Sequence, residues 1–94
     1  MASVVVTLRI MPEDVEVDLS KLQHHVIKEI SAFCGEPNIE TRHEIKPVAF
    51  GLKALEIKFL MDEKKGSTET LEKKICGIKG VKSAEAIDVR RSVG

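Results

Sequence analysis

Three histidines, two cysteines and fifteen carboxylates are the groups in this chain that could hold a metal, act as a nucleophile or move a proton. Their spacing assembles none of those chemistries. His24 and His25 are neighbours, so on a helix they point in different directions and lack the i, i+4 spacing by which two imidazoles on a helix share one ion. His43 stands alone, and no C-x-x-C pair is present. Cys34 and Cys76 lie beside apolar residues, and a buried structural thiol is the expected role for each. The carboxylates are scattered along charged faces, so no general acid–base pair stands out. Gly77-Ile-Lys-Gly80 has glycines and a lysine, but the phosphate-cradling pattern G-x-x-x-x-G-K-[ST] is absent. The expectation is a protein that is not an enzyme and needs neither a cofactor nor a metal.

A different kind of residue stands out at positions 47–53, Pro-Val-Ala-Phe-Gly-Leu-Lys. Phe50 is one of only three aromatic residues, and it precedes a glycine between two stretches that read as strands. An aromatic ring in a connection either folds back to plug the end of the core or stays in water to meet a partner. The residues alone leave both readings open.

The rest of the chain must supply the scaffold. Its 94 residues make a single domain, 1–94, with enough chain for one small core. Fifteen basic residues offset fifteen acidic ones, so there is no overall attraction to nucleic acid or anionic membrane. No apolar run is long enough for a membrane span and no signal-peptide pattern opens the chain, so the expected compartment is the cytoplasm.

Val4, Val6, Leu8 and Ile10 alternate with Thr7 and Arg9 across residues 3–11, the period of a strand with one buried face. Pro12-Glu13-Asp14 ends it. Asp18 is a suitable N-cap, and Leu19, Leu22, Val26, Ile30 and Phe33 then form a helical stripe that stops at Gly35, before Glu36-Pro37. Residues 38–46 place Ile39, Thr41, His43 and Ile45 on one face and four charged residues on the other. Residues 52–61 alternate again through Leu55, Ile57, Phe59 and Met61. After the charged turn 62–66, Ser67 or Thr68 caps a second helix with the stripe Leu71, Ile75 and Ile78. Val81 to Arg90 reads as a last strand.

Strand, helix, strand, strand, helix, strand is the order of two split βαβ units. The expected fold is α+β: a ferredoxin-like βαββαβ sandwich, with a four-stranded antiparallel sheet, both helices on one face, and the first and third strands in the middle. Base-stacking on such a sheet needs aromatic residues on the central strands. The first has none, and the third has only Phe59, on its core face.

Residues 47–55, Pro-Val-Ala-Phe-Gly-Leu-Lys-Ala-Leu, resemble the signature of the translation elongation factor 1-beta family. The charged turn 62–66 and the helix from Ser67 to Ile75 are similar to the turn and helix that come after the signature in that family, with one extra residue near the cap. The ending from Ile87 to Gly94 is similar to the close of the archaeal members. The resemblance implies guanine-nucleotide exchange on elongation factor 1-alpha: release of GDP so that GTP can rebind, by a protein that is monomeric when free and touches neither nucleic acid nor membrane. It also implies a partner-binding set made of Pro47, Val48, Ala49, Phe50, Gly51 and Lys53, with Phe50 entering a pocket on the GTPase. Arg90 and Arg91 are the nearest match to a basic residue that reaches the partner's magnesium site. It sits second from the end in eukaryotic relatives, whereas three residues follow Arg91 here. Arg91 to Gly94 are expected to protrude from the end of the last strand, with Phe50 and the two arginines on one edge. The competing expectation is a small-molecule-sensing regulatory domain of the same fold, in which Phe50-Gly51 is an ordinary hairpin element. An acylphosphatase-like enzyme would need an arginine cradle where Met11-Pro12-Glu13-Asp14 stands.

Overall fold

The computed structural model describes residues 3–35, 39–63 and 67–92, with the side chain of Ser92 excepted. The expected helix stop at Glu36-Pro37, the start of the second strand at Asn38, Lys64 to Gly66 of the charged turn, and Val93-Gly94 lie outside the described residues. The elements are β1 (Ser3–Pro12), α1 (Leu19–Cys34), β2 (Thr41–Pro47), β3 (Lys53–Asp62), α2 (Glu69–Cys76) and β4 (Val81–Ser92). The four strands form one antiparallel sheet in the order β2-β3-β1-β4. This is the ferredoxin-like sandwich, with β1 and β3 central as their apolar faces require.

The helices begin and end where local chemistry dictates. Asp18 Oδ1 accepts the N–H groups of Ser20 at 2.9 Å and Lys21 at 3.3 Å, satisfying donors that α1 cannot pair internally. Gly35 closes the helix at φ 71, a left-handed geometry that costs glycine little. At α2 the backbone cap is Thr68, whose side chain makes no capping bond among the described residues. Ser67 Oγ instead accepts the Glu69 N–H at 3.1 Å.

The core lies between the helices and one sheet face. Val6, Leu8 and Ile10 of β1 stand opposite Phe59, Ile57 and Leu55 of β3. Leu22, Val26 and Ile30 of α1 and Leu71 and Ile75 of α2 cover them, and all are buried. Each such side chain contributes about 1.5–3 kcal/mol through removal from water. Cys34 is half-buried as a partly structural thiol, but Cys76 is exposed. It follows Ile75, and one residue turns the helix by about 100°, which carries Cys76 off the buried stripe.

β2 is more exposed than its alternation indicates: only Thr41 is half-buried, and neither face is closed off from water. Thr41, His43 and Ile45 pair with Phe59, Ile57 and Leu55. As an edge strand beyond the helices' cover it stays largely exposed, and His43 Nδ1 lies 3.0 Å from Gln23 Nε2 of α1. In β4, Ala84 and Ala86 obscured the alternation at the level of sequence. They face the core opposite Ile10 and Leu8. A register shift between Thr7 and Leu8 then leaves Ile87 as an extra residue. There the Ala86 N–H donates to Glu72 Oε1 of α2 at 2.6 Å, so a helix side chain takes up a donor at the bulge.

Strand direction decides what meets at each end. Each helix-containing crossover returns the chain parallel to the strand it left, while the hairpin reverses it. β1 therefore runs parallel to β2, and β3 to β4. The β2–β3 connection lies where β1 finishes, whereas β4 finishes where β1 begins, with Arg91 opposite Val4 and Ser92 opposite Ser3. The expectation that Phe50 and the arginine pair share one edge is thus incorrect. β4 also extends through Arg91 to Ser92, so Arg91 is part of the sheet rather than of a protruding tail.

Candidate partner-binding site

The β2–β3 hairpin carries the residues singled out by their spacing. Its last ladder pair is Pro47 with Lys53. Beyond it, the Val48 N–H donates to the Leu52 carbonyl and the Leu52 N–H to the Ala49 carbonyl, each at 2.9 Å. The two central residues, Phe50 and Gly51, have φ of 56 and 78. Two successive positive φ values mark the type I′ hairpin turn, whose twist matches the flanking strands. Glycine suits the second position. Phenylalanine in the first is held in a left-handed conformation that costs an L-residue roughly 1–2 kcal/mol.

At the crest of this turn Phe50 is 98% exposed, so it does not plug the core. Val48 is 52% exposed beside it, and Pro47, Ala49, Gly51 and Lys53 are exposed as well. A large apolar side chain in water on a strained turn is an arrangement that folding alone does not favour.

The sequence reading missed a residue at this end. Val15, in the connection between β1 and α1, is 62% exposed. A Cβ added to Gly51 would lie 3.6 Å from Val15 Cγ1, so the two connections lie side by side. A groove of about 310 Å³ runs between them, lined among others by Pro12, Val15, Gly51 and Lys53. The available signal was a β-branched apolar residue set among Glu13, Asp14, Glu16 and Asp18, between the residues that end the first strand and the cap of the first helix.

Arg90 and Arg91 occupy the opposite end. Arg90 pairs with Val5 on the open sheet face, and Arg91 pairs with Val4 on the helix-covered face. Successive strand residues alternate faces, so the two guanidinium groups leave the sheet on opposite sides. Arg90 Nε lies 3.0 Å from Asp88 Oδ2. Arg91 is clasped by Glu63, with Nε donating to Oε1 at 3.2 Å and a second bond from its Nη2 to the same oxygen. The hydrogen bonds and charge of Glu63 raise the Arg91 guanidinium above its ordinary pKa, and arginine is a cation at any working pH.

A second charged cluster marks the open sheet face. Glu56, nearly buried, is 3.2 Å from Arg9 Nη2 and 3.4 Å from Lys46 Nζ. Among the described residues, no group of three or more His, Cys, Asp or Glu side chains could hold a metal ion. His24 and His25 are exposed. No described helix is long and apolar enough to cross a membrane.

Comparison with known proteins agrees with this scaffold. Residues 5–91 match the family model of the EF-1 guanine nucleotide exchange domain. Elongation factor 1-beta of Methanothermobacter thermautotrophicus is 38% identical over 97% of this chain and 98% of its own. The proteins of the same name from Staphylothermus marinus and Desulfurococcus amylolyticus are 37% and 40% identical, each over 97% of this chain and 98% of their own. Among solved structures, the de novo designed protein Foldit4 superposes over 98% of both chains with a TM-score of 0.61; at 20% identity it supports the fold alone. With a family match across nearly the whole chain, and relatives matched almost end to end, this protein belongs to the EF-1 guanine nucleotide exchange domain family.

Proposed function

We propose that this protein is a guanine-nucleotide exchange factor that promotes GDP release from elongation factor 1-alpha so that GTP can rebind, and that it performs no bond chemistry of its own. The family match over residues 5–91 carries the reading. The exposed Phe50 ring supports the mechanism: a factor that binds the nucleotide-free GTPase better than the loaded one weakens nucleotide affinity by the same factor. Burying that ring in a partner pocket contributes about 1.5–3 kcal/mol, or one to two orders of magnitude in affinity.

The partner-facing set divides in two. Pro47, Val48, Ala49, Phe50 and Gly51 provide an apolar anchor at one end, with Lys53 a charged contact at its base. Arg90 and Arg91 provide cations at the other, where a guanidinium competes with a bound magnesium ion and the phosphates it bridges. The molecule measures 42 × 21 × 21 Å, so both ends act on one partner only if that partner offers two well-separated sites. The protein works as a monomer in the cytoplasm, as a single exchange domain, without direct contact to nucleic acid or membrane. A pull-down with elongation factor 1-alpha, with and without excess GDP, tests the reading. Capture that GDP competes away is the expected result, and capture indifferent to GDP would overturn it.

A further inference from the structure

Turn crests are ordinarily polar, because their side chains remain in water. The β1–α1 connection breaks that habit with two valines, and it uses them differently. Val17 turns inward: a Cβ added to Gly80 would lie 3.3 Å from its Cγ1. Val15 turns out beside Gly51 and stays 62% exposed. It is not a frayed residue. The Glu13 N–H donates to the Gly80 carbonyl at 2.9 Å, the Glu16 N–H to Asp14 Oδ1 at 2.8 Å, and Asp18 caps α1 directly after. Isolated exposed apolar residues need no explanation, but Val15, Val48 and Phe50 stand on two braced connections at one end of the sheet.

The charges around them are asymmetric. Asp14 and Asp18 are committed to backbone N–H groups. Glu13 and Glu16 are exposed, and among the described residues neither side chain makes an ion pair. The chain as a whole is neutral, so only local charge of this kind can orient an encounter.

We propose that the β1–α1 connection is the second half of the Phe50 docking surface. Val15 seats in the same apolar recess of the partner as Phe50, and Glu13 and Glu16 face lysine or arginine side chains on the rim of that recess. Val15 is then a specificity-determining residue, and the acidic pair sets the orientation of docking. This rests on the reading of the protein as an exchange factor for elongation factor 1-alpha, and continuity with the Phe50 turn commits the surface to that partner.

The test is the concentration of factor giving half-maximal GDP release from elongation factor 1-alpha, at low and high salt. Val15→Ser should raise it about tenfold, as for an interface anchor, with an unchanged melting temperature. Val15→Ile, which keeps a β-branched apolar side chain, should leave it near the wild-type value. Glu13→Gln/Glu16→Gln should raise it at low salt and flatten its salt dependence. Because Val15 and Phe50 share one recess, Val15→Ser with Phe50→Ala should cost less than the product of the single effects. An active wild type with Val15→Ser unimpaired, or with single effects that multiply independently, overturns the shared recess alone. Unaltered salt dependence in the double glutamine variant overturns the basic rim. A wild type that fails to release GDP overturns the exchange reading itself, and this inference with it.

Discussion

Phe50 and Arg91 stand at opposite ends of the sheet. Arg91 lies opposite Val4, and Val4 opposite Met61. Met61 is about eight residues along β3 from Lys53 at the base of the Phe50 turn, or roughly 26 Å at strand rise. An apolar anchor and a cation separated by that distance cannot fill one pocket, so any joint action is that of a clamp. Effects at the two ends should then be nearly additive, unlike effects within either end.

Removing the Phe50 ring separates function from stability. Phe50→Ala should slow GDP release from the partner at least about tenfold and leave the melting temperature nearly unchanged, since an exposed ring stabilises nothing in the free chain. Phe50→Gly should lose as much exchange while raising the melting temperature, because glycine relieves the positive φ. Thermal unfolding beside a stopped-flow exchange assay checks both, and a parallel loss of folding and exchange would make Phe50 structural.

At the other end, Arg90→Ala/Arg91→Ala should slow exchange more than it weakens binding to the nucleotide-free partner. Raised magnesium should oppose the wild-type factor more than the double variant, since the cation competes with the metal. Exchange kinetics unchanged across a magnesium titration would remove both arginines from the mechanism. Glu63→Gln isolates the clasp: it loosens Arg91 without removing it, and should alter the magnesium dependence with little change in melting temperature.

The Glu56 cluster should matter for folding rather than exchange. Glu56→Ala removes the shared partner of Arg9 and Lys46. Arg9 Nε is already buried without a hydrogen-bond partner among the described residues, so the loss deepens an existing deficit. A destabilisation of about 1–3 kcal/mol is expected by urea unfolding, with exchange per folded molecule preserved.

Glu72→Ala tests the bulge in β4. The Ala86 N–H would lose its acceptor, at a cost of about 1–2 kcal/mol. Hydrogen exchange should show the loss at Ala86 and its neighbours, while the amides of the Phe50 turn keep their protection.

Much of this architecture was legible in the amino-acid sequence. Alternation in β1 and β3, the stripes of both helices, Asp18 as a cap and Gly35 as a stop are local periodicities and local hydrogen bonds, which neighbouring residues specify without help from the rest of the fold. The motif around Phe50 was legible for the same reason, and so was the family. What the ring does in the free chain was not: plugging the core and facing water were equally consistent with its position until the fold left the ring 98% exposed at the crest of the turn. The role of Val15 was hidden because its significance depends on Gly51, which lies far along the chain but meets it in space. Cys76, Glu72 and Glu56 were likewise settled by what packs or bonds beside them. The placement of the arginines turns on strand direction. Each crossover preserves direction and each hairpin reverses it, so the end at which a residue emerges belongs to the whole sheet and not to its local sequence.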